Sequence, residues 1–482
     1  MPRDGKFGAP VWSPDGKQFA FTNTVAKGVE LWIGSPSTGQ TRRISGLSVN
    51  GVQIGGPPVQ WLGDNRTLIV STVPANRGTA PVEPAIPIGP HVRESTGNAG
   101  PAPTFEDLLA TPHDEDLFDY YATSQLVYLD AATGKSTPFG KPAIYTLIRP
   151  SPDRTHLLVG WLHRPYSYQL TARAFPEEIE VWNRNGKVEY KVASLPLADR
   201  VPLAGVRTGP RAYQWLQDKP ATLVWAEALD GGDPKAKVPY RDAIKTIAAP
   251  FSGQPNEIFK TGERFRSLQP LADGNALVED YERVKRIVRT FEISLDKPDA
   301  GPRLIFSLNE RDAYHDPGSP VLKTTPDGRR QVIQSGDEIY LEGSGASPTG
   351  DHPFLDRFNL ATGKAQRLFQ SDNSAYETIA AVLDDSGTRL LTRRESPTDP
   401  PNYYIRTDSE VKSSEVKPLT HFPDPTPQTA GIKKQLSPTS APTECLYRSR
   451  CIFPPIINPA RNCPLWSGRT LMSSRTPTRR VR

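Results

Sequence analysis

One stretch of this sequence comes near to the setting of a nucleophilic serine. Nucleophilic hydrolysis on a strand-to-helix turn is marked by G-x-S-x-G, with Asp and His partners later in the chain. No such pentapeptide occurs, and the nearest stretch is Gly343-Ser344-Gly345-Ala346-Ser347. Because this stretch is Gly-rich, lies in a predicted β-repeat and has no predicted helix after it, we interpret it as a loop. We therefore predict no catalytic residue in this chain.

The histidines do not form a recognisable metal motif. They are scattered singly, at His91, His113, His156, His163, His315, His352 and His421. None lies in H-x-H or H-E-x-x-H, so no rigid element supplies two ligands. The acidic stretch His113-Asp114-Glu115-Asp116 could bind a cation weakly, although a solvated surface is the favoured interpretation. We predict no metal site.

Cofactor and ligand signals are equally weak. The chain has no G-x-x-x-x-G-K-[ST] and no G-x-G-x-x-G after a predicted strand, so we predict no phosphate-bearing cofactor. Arg93-Glu94 could contact a ligand, but pairing with other surface charges is favoured. We expect Trp161, Trp182, Trp215 and Trp225 to pack in the core, because they lie in predicted strands.

A repeated turn organises the chain. Ser13-Pro14-Asp15-Gly16 separates two strand-like runs, with chemistry typical of a hairpin: Pro presets φ, Asp caps the turn and Gly accepts a positive φ. Six similar turns follow, at 62–65, 151–154, 216–218, 271–274, 325–328 and 384–387. A second turn follows in most units, at Gly39, Gly134, Gly186, Gly253 and Gly363.

Two turns per unit imply four strands per unit. Seven four-stranded units predict an all-β, seven-bladed β-propeller over 1–420, whereas a pair of β-sandwiches is the rival fold. The second and third turns are unusually far apart, which predicts an insertion at 73–121 in the second blade. Within it, Thr104 and Asp107 have capping-box spacing, so we predict a short helix over Thr104–Leu109. Such an insertion is either a functional surface feature or a packing flap, and the flap is favoured.

The last 46 residues differ in composition from the rest. They contain all three cysteines, eight Arg and no Lys or Asp, and Cys445, Cys451 and Cys463 lack paired metal-binding spacing. The whole chain has a net charge of +5, but without this segment 50 basic and 52 acidic residues remain. We therefore predict no nucleic-acid partner. No apolar run is long enough to span a membrane and the N-terminus does not look like a secretory signal, so the localisation stays unknown.

The same segment is compatible with a shift of reading frame. Codons for the stretch from Ser437 to Glu444 can be read one base earlier as VTYKRADG, a β-strand-like sequence. We therefore expect 421–436 to be a connector towards a missing α/β-hydrolase domain. Residues 437–482 are then predicted to be a frame-shifted, disordered tail; a natural basic tail is the alternative.

Several long segments resemble a known family. They are Pro90–Leu109, Glu180–Val188, Pro220–Pro234, Gly345–Arg357 and Glu395–Arg406. Together they resemble the N-terminal propeller of the prolyl oligopeptidase family of serine peptidases, in its glutamyl-endopeptidase-like branch. The resemblance implies a seven-bladed propeller that gates peptide access to a C-terminal Ser-Asp-His hydrolase domain. No residue of this chain matches the family's catalytic positions.

These observations predict a truncated serine-peptidase homologue with no hydrolysis by this chain alone. Its partners would be peptide substrates, as in intact relatives, and possibly a separately encoded hydrolase domain. The alternative is a stand-alone propeller that binds peptides or a protein. An active peptidase completed by ribosomal frameshifting is a third possibility.

Overall fold

The computed structural model describes residues 5–85, 105, 107–407, 415–429, 433–440, 446–453 and 469–470. It divides into two compact units, one of Met1–Phe265 with Thr324–Arg330 and the other of Arg266–Lys323 with Gln331–Arg482. In the described part, the chain is all-β apart from one α-helix and three short 3-10 turns, at Ala172–Ala174, Pro298–Ala300 and Pro427–Thr429.

The first unit is built from three antiparallel sheets. Sheet 1 contains β1 (Lys6–Phe7), β2 (Val11–Trp12), β3 (Phe19–Val25), β4 (Gly28–Gly34) and β5 (Thr41–Ile44). Sheet 2 contains β6 (Val59–Trp61), β7 (Thr67–Thr72), β8 (Ser124–Asp130), β9 (Ser136–Pro150), β10 (His156–Leu162), β11 (Glu177–Asn183) and β12 (Val188–Leu195). Sheet 3 contains β13 (Pro210–Trp215), β14 (Thr222–Ala228), β15 (Asp242–Ala248) and β16 (Asn256–Thr261).

Three further sheets follow along the chain. Sheet 4 contains β17 (Arg264–Pro270), β18 (Asn275–Glu282), β19 (Ile287–Ser294) and β20 (Arg303–Asn309). Sheet 5 contains β21 (Ser319–Pro320), β24 (Gln334–Ser335), β25 (Glu338–Gly343), β28 (Phe354–Asn359) and β29 (Lys364–Gln370). Sheet 6 contains β30 (Tyr376–Val382), β31 (Arg389–Glu395), β32 (Asn402–Thr407) and β33 (Glu415–Pro418). Two small hairpins pair β22 (Leu322–Thr324) with β23 (Arg330–Val332), and β26 (Ala346–Ser347) with β27 (Gly350–Asp351).

The predicted fold class is confirmed in its coarse form. The sheets are those of a β-propeller, and five of them, sheets 1, 3, 4, 5 and 6, form separate blades of four or five strands. Sheet 2 has seven strands in one hydrogen-bonded order. A propeller of seven blades with four strands each therefore stays a prediction.

The predicted turns lie where the repeat requires them. Each of the seven lies between two consecutive strands, and Gly16, Gly274, Gly328 and Gly387 have positive φ values of 68°, 81°, 83° and 69°. Ser13 donates a hydrogen bond of 2.7 Å from its hydroxyl to Asp15, which fixes the first of these turns. The five glycines of the second turns also have positive φ, so this turn chemistry was read correctly.

The cores lie between the faces of successive sheets. Sheets 1 and 2 bury Leu31, Leu68 and Leu129, and sheets 2 and 3 bury Leu158 and Leu223. Trp182, Trp215 and Trp225 are each at most 2 % exposed, as predicted for core tryptophans, whereas Trp161 is partly buried. Alternation along each strand puts one apolar set on each face, so sheet 2 packs on both sheet 1 and sheet 3.

The described residues of the C-terminal segment form β34 (Lys433–Ser440), β35 (Leu446–Phe453) and β36 (Arg469–Thr470), paired antiparallel in one sheet. The run LYRSRCIF mixes basic with apolar and aromatic residues compatible with a strand. The disorder predicted for 437–482 stays a prediction. The reading frame of this segment is not tested by its backbone.

Candidate functional site

The insertion between β7 and β8 carries the α-helix of the described chain, α1 (Pro112–Ala122). Thr111 caps it: the Thr111 hydroxyl accepts from the Asp114 N–H at 3.1 Å, and an Asp114 carboxylate oxygen accepts from the Thr111 N–H at 2.8 Å. The hydrogen bond from the Ala110 N–H is the main cause that lowers the pKa of Asp114. Pro112 at the first turn lacks an N–H that would need a partner.

The predicted helix at Thr104–Leu109 is wrong where it can be checked. Thr104 and Glu106 lie outside the described residues, but Asp107–Leu109 are not helical and Asp107 has φ 55°. The same Thr-x-x-Asp spacing recurs seven residues later, where Thr111 and Asp114 do form the capping box. Spacing alone could not choose between the two; the Pro at the first helical position favours the second.

The acidic face of α1 surrounds one guanidinium. Arg164, just after β10, donates to Glu115 at 2.9 Å, to Asp116 at 2.7 Å and to Asp119 at 2.9 Å. The hydrogen bond that Arg164 donates to Asp116 is the largest cause that raises the pKa of Arg164. The acidic stretch His113–Asp116, predicted as a solvated surface, thus forms ion pairs in part with Arg164. No group of metal-ligating side chains occurs among the described residues. We call these four residues the helix cluster.

The apolar side of α1 fixes the insertion to sheet 2. Phe118 packs edge-on against Tyr166 and Phe175, with ring centroids 5.1 and 5.9 Å apart. Tyr166 and Phe175 are buried together with Ile144 and Leu162 in one cluster. The apolar side of α1 is therefore packed against this cluster.

The histidines make separate local contacts. His156 lies 3.0 Å from Glu189, His163 lies 3.6 Å from Glu178 and His315 lies 2.8 Å from Asp312. His352 contacts Thr349 at 3.1 Å, and His421 is exposed. His113 lies on α1, and His91 lies outside the described residues, as does Arg93-Glu94.

The Gly343–Ser347 stretch is a loop only in part, because Gly343 ends β25 and Ala346–Ser347 form β26. Ser344 and Gly345 connect these two strands, and β27 and β28 follow. No helix lies between Gly343 and Asn359, a segment that is described throughout. A nucleophile elbow requires such a helix, so Ser344 does not occupy one.

A second ion cluster lies at one end of sheet 3, and the sequence analysis missed it. Asp242, fully buried, accepts from Arg211 at 2.5 Å, from Arg264 at 2.7 Å and from the Phe265 N–H at 2.6 Å. Asp230 accepts from Arg264 at 2.5 Å and from Arg241 at 2.9 Å. We call Arg211, Asp230, Arg241, Asp242 and Arg264 the sheet cluster.

Electrostatics favour the ionised form of Asp230. Burial raises the pKa of Asp230, but hydrogen bonds and charges from Arg264 and Arg241 outweigh it and leave that pKa below its ordinary value. Arg241 also contacts Glu263 at 3.2 Å through Nε. Three guanidiniums thus surround two buried carboxylates.

Both clusters belong to the same ends of their sheets. In an antiparallel meander, the first strand begins at the end where the second strand passes into the third. Arg211 lies near the start of β13, and Asp230 and Arg241 lie in the connection from β14 to β15. The insertion and Arg164 lie in the corresponding connections of sheet 2. Four of the five segments that carry the family resemblance also include such connections.

Comparison with known proteins identifies the class of this chain. No protein-family model matches it. It is 36% identical, over 96% of its length, to a probable chloroplastic glutamyl endopeptidase of Oryza sativa subsp. japonica, and covers 52% of that protein. The corresponding protein of Arabidopsis thaliana is 35% identical, again over 96% of this chain, and 50% of it is covered. The chain spans about half the length of the curated relatives it matches.

The predicted resemblance to glutamyl endopeptidases is thereby confirmed, over 96% of this chain and about half of each relative. Solved structures include more distant likenesses. An acylaminoacyl peptidase in complex with a chloromethyl ketone is 12% identical with a TM-score of 0.48, covering 95% of this chain and 59% of that one. The β-propeller domain of the Trilobed protease from Pyrococcus furiosus is 11% identical with a TM-score of 0.42, covering 87% and 99%.

Proposed function

We propose that this chain is the propeller part of a serine peptidase, which admits peptides to a Ser-Asp-His hydrolase domain and does not hydrolyse them by itself. The observation that carries the proposal is the 35 to 36% identity to probable glutamyl endopeptidases, over a chain whose blades contain no G-x-S-x-G. Without an activated serine, an acyl-enzyme cannot form.

Seven blades are part of this proposal, because sheet 2 has the features of two blades joined by one strand. β9 pairs with β8 through Ser136–Ala143 and with β10 through Ile144–Pro150. The two halves pack face to face: Ile69 and Leu126 share a core cluster with Leu157 and Trp182. Strands of one flat sheet could not bury side chains against each other in this way.

A further part of the proposal concerns residues 437–482, which we infer to be read in a shifted frame. The abrupt change of composition supports this inference. Sequencing the DNA beyond codon 436 tests it: an open frame encoding G-x-S-x-G in an α/β-hydrolase pattern is expected. A coding sequence that ends in every frame would contradict it.

The proposed lack of hydrolysis by this chain is tested on the purified protein. We expect no serine to be labelled by a fluorophosphonate probe and no cleavage of a fluorogenic glutamyl peptide. An active, full-length recombinant relative serves as the positive control under the same conditions. A labelled serine, identified by peptide mass mapping, would overturn the proposal.

A further inference from the structure

A hairpin interrupts the first strand of sheet 5. β21 and β24 pair one after the other with the same edge of β25, whose opposite edge pairs with β28. Between them the chain leaves the sheet as the hairpin of β22 and β23, which turns at 325–328. We call residues 322–332 the finger. Its tip, Thr324–Arg330, belongs to the first compact unit, whereas the strands of sheet 5 belong to the second.

The tip lies against the turn at 62–65 of sheet 2. A Cβ at Gly63 would overlap the carbonyl oxygen of Asp327, so the finger can lie here only because this position has no side chain. The turn itself does not require glycine, since Gly63 does not have a positive φ. The side chain of Asn65 in the same turn donates to the Pro326 carbonyl at 3.4 Å. The corresponding position of other turns is occupied by Pro14, Pro152, Gln217 and Ala272.

The same tip reaches the turns of sheets 1 and 3. A Cβ at Gly328 would lie 3.5 Å from the Cβ of Pro14, in the turn at 13–16. Arg329 donates from Nη1 to the Gln217 carbonyl at 2.9 Å, in the turn at 216–218. One short tip can contact all three turns only if they converge on it.

The base of the finger has its own contacts in the second unit. Lys323 pairs with Asp385 in the turn at 384–387. Gln334, just after the finger, accepts from the Ala272 N–H at 2.7 Å, in the turn of sheet 4. An isolated two-stranded hairpin is marginally stable in water, so contacts at the tip and the base must hold the finger in place.

The position of these turns gives the finger a role. The sheets of a β-propeller surround a central channel, and the turns that follow their first strands lie at one mouth of it. Pro326 and Gly328 are exposed, so the tip has solvent on one side and the turns of sheets 1 to 3 on the other. Elements held by a few side-chain hydrogen bonds are among the first to open locally.

We propose that the finger closes the propeller to extended peptides at this end, and that peptides pass between these turns only when the tip leaves them. This inference rests on the proposed peptide-admitting function. It makes the finger a determinant of which substrates the propeller takes in, by their size and not by their side chains.

A disulfide across the tip tests the inference directly. Pro14→Cys with Gly328→Cys brings two Cβ atoms to the 3.5 Å given above, which a disulfide can span. Cys445, Cys451 and Cys463 are replaced by Ser, so that no other thiol competes. Fluorescence anisotropy follows the association of a fluorescein-labelled glutamyl peptide with the oxidised and the reduced protein. We expect association to be about tenfold slower, or more, in the oxidised form, because the open state is removed. Pro14→Cys alone is the control and should show one rate under both conditions.

Gly63→Ala displaces the tip without a disulfide. Its methyl group overlaps the Asp327 carbonyl, so we expect association of the peptide to be roughly tenfold faster than in the unmodified chain. Gly51→Ala is the matched control, because its Cβ meets only Val29 at an ordinary 3.4 Å, and the rate should not change. Circular dichroism confirms that each variant is folded. Gly328 has φ 83°, which strains a cysteine there, and Gly63→Ala keeps the test available if the double variant does not fold.

Equal association rates for the oxidised and reduced forms, or an unchanged rate in Gly63→Ala, would overturn the inference and leave peptide binding intact. If the peptide binds to none of these proteins, even with the tip released, the finger controls no peptide entry and the inference is likewise overturned. The proposed function is judged separately, because fluorophosphonate labelling and cleavage do not depend on the position of the finger.

Discussion

The helix cluster and the sheet cluster are opposite solutions to pairing arginine with carboxylates. In the first, one guanidinium meets Glu115, Asp116 and Asp119 on the surface of α1, and the Arg164 side chain is 43% exposed. In the second, three guanidiniums meet Asp230 and Asp242, whose side chains are fully buried. Water can compensate the excess charge of the helix cluster, but the protein itself must compensate that of the sheet cluster.

This contrast separates two roles. The helix cluster fastens an insertion to sheet 2 by contacts that salt and solvent weaken. The sheet cluster holds its charges in place, since its buried side chains are fixed by one another.

The largest effect is expected from removing a buried charge. Asp242→Asn leaves Arg211 and Arg264 facing a neutral amide, and we expect a loss of roughly 3–5 kcal/mol in the free energy of unfolding. Denaturant unfolding followed by circular dichroism measures it. Asp116→Asn, the same change in the helix cluster, is the matched control and should cost under about 1 kcal/mol. Similar losses for the two variants would remove the distinction between the clusters.

A smaller, local effect is expected at the apolar side of α1. Phe118→Ala removes the ring that packs against Tyr166 and Phe175, and we expect a loss of about 2–3 kcal/mol, because Phe118 is only partly buried. Hydrogen exchange should show lower protection in α1 than in the unmodified chain, with β13 and β15 unchanged. Loss of protection throughout sheet 3 would show that the insertion supports more than its own anchoring.

The ionic side of α1 is expected to matter less. Arg164→Gln should destabilise the chain by about 1 kcal/mol at low salt, because an exposed guanidinium is screened by solvent. In 1 M sodium chloride this loss of stability should shrink, whereas the loss caused by Asp242→Asn should persist. A salt-independent loss in Arg164→Gln would indicate that packing of its stem, not charge, fastens the helix.

The smallest effect on stability is expected from lowering the pH. The pKa of Asp230 lies below 3.8 in the folded state, so its contribution to stability is complete above that pH and is lost as pH falls further. The melting temperature of the unmodified chain should therefore decline more steeply below pH 3.8 than that of Asp230→Asn. Parallel curves for the two proteins would mean that Asp230 does not contribute to the acid sensitivity.

Local chemistry made part of this molecule predictable. Turns such as Ser13–Gly16 were found because Pro, Asp and Gly carry their conformational preferences within four residues. Trp182, Trp215 and Trp225 were placed correctly because large apolar side chains in strands are mostly buried, whereas Trp161 is only partly buried. The helix was misplaced because Thr104 and Thr111 offer the same capping spacing; Pro112 and the packing of Phe118 on Tyr166 and Phe175 distinguish the second.

The sequence by itself determined the repeated turns, the strand-rich class and the family, since each is encoded in adjacent residues or in overall identity. Only the tertiary structure decided the clusters. Arg211, Asp242 and Arg264 are separated by many residues of ordinary strand and turn sequence, and nothing in their local spacing marks them as partners. Their pairing depends on strand register, on the bulge at Ala212 and on burial, which arise when the sheets pack.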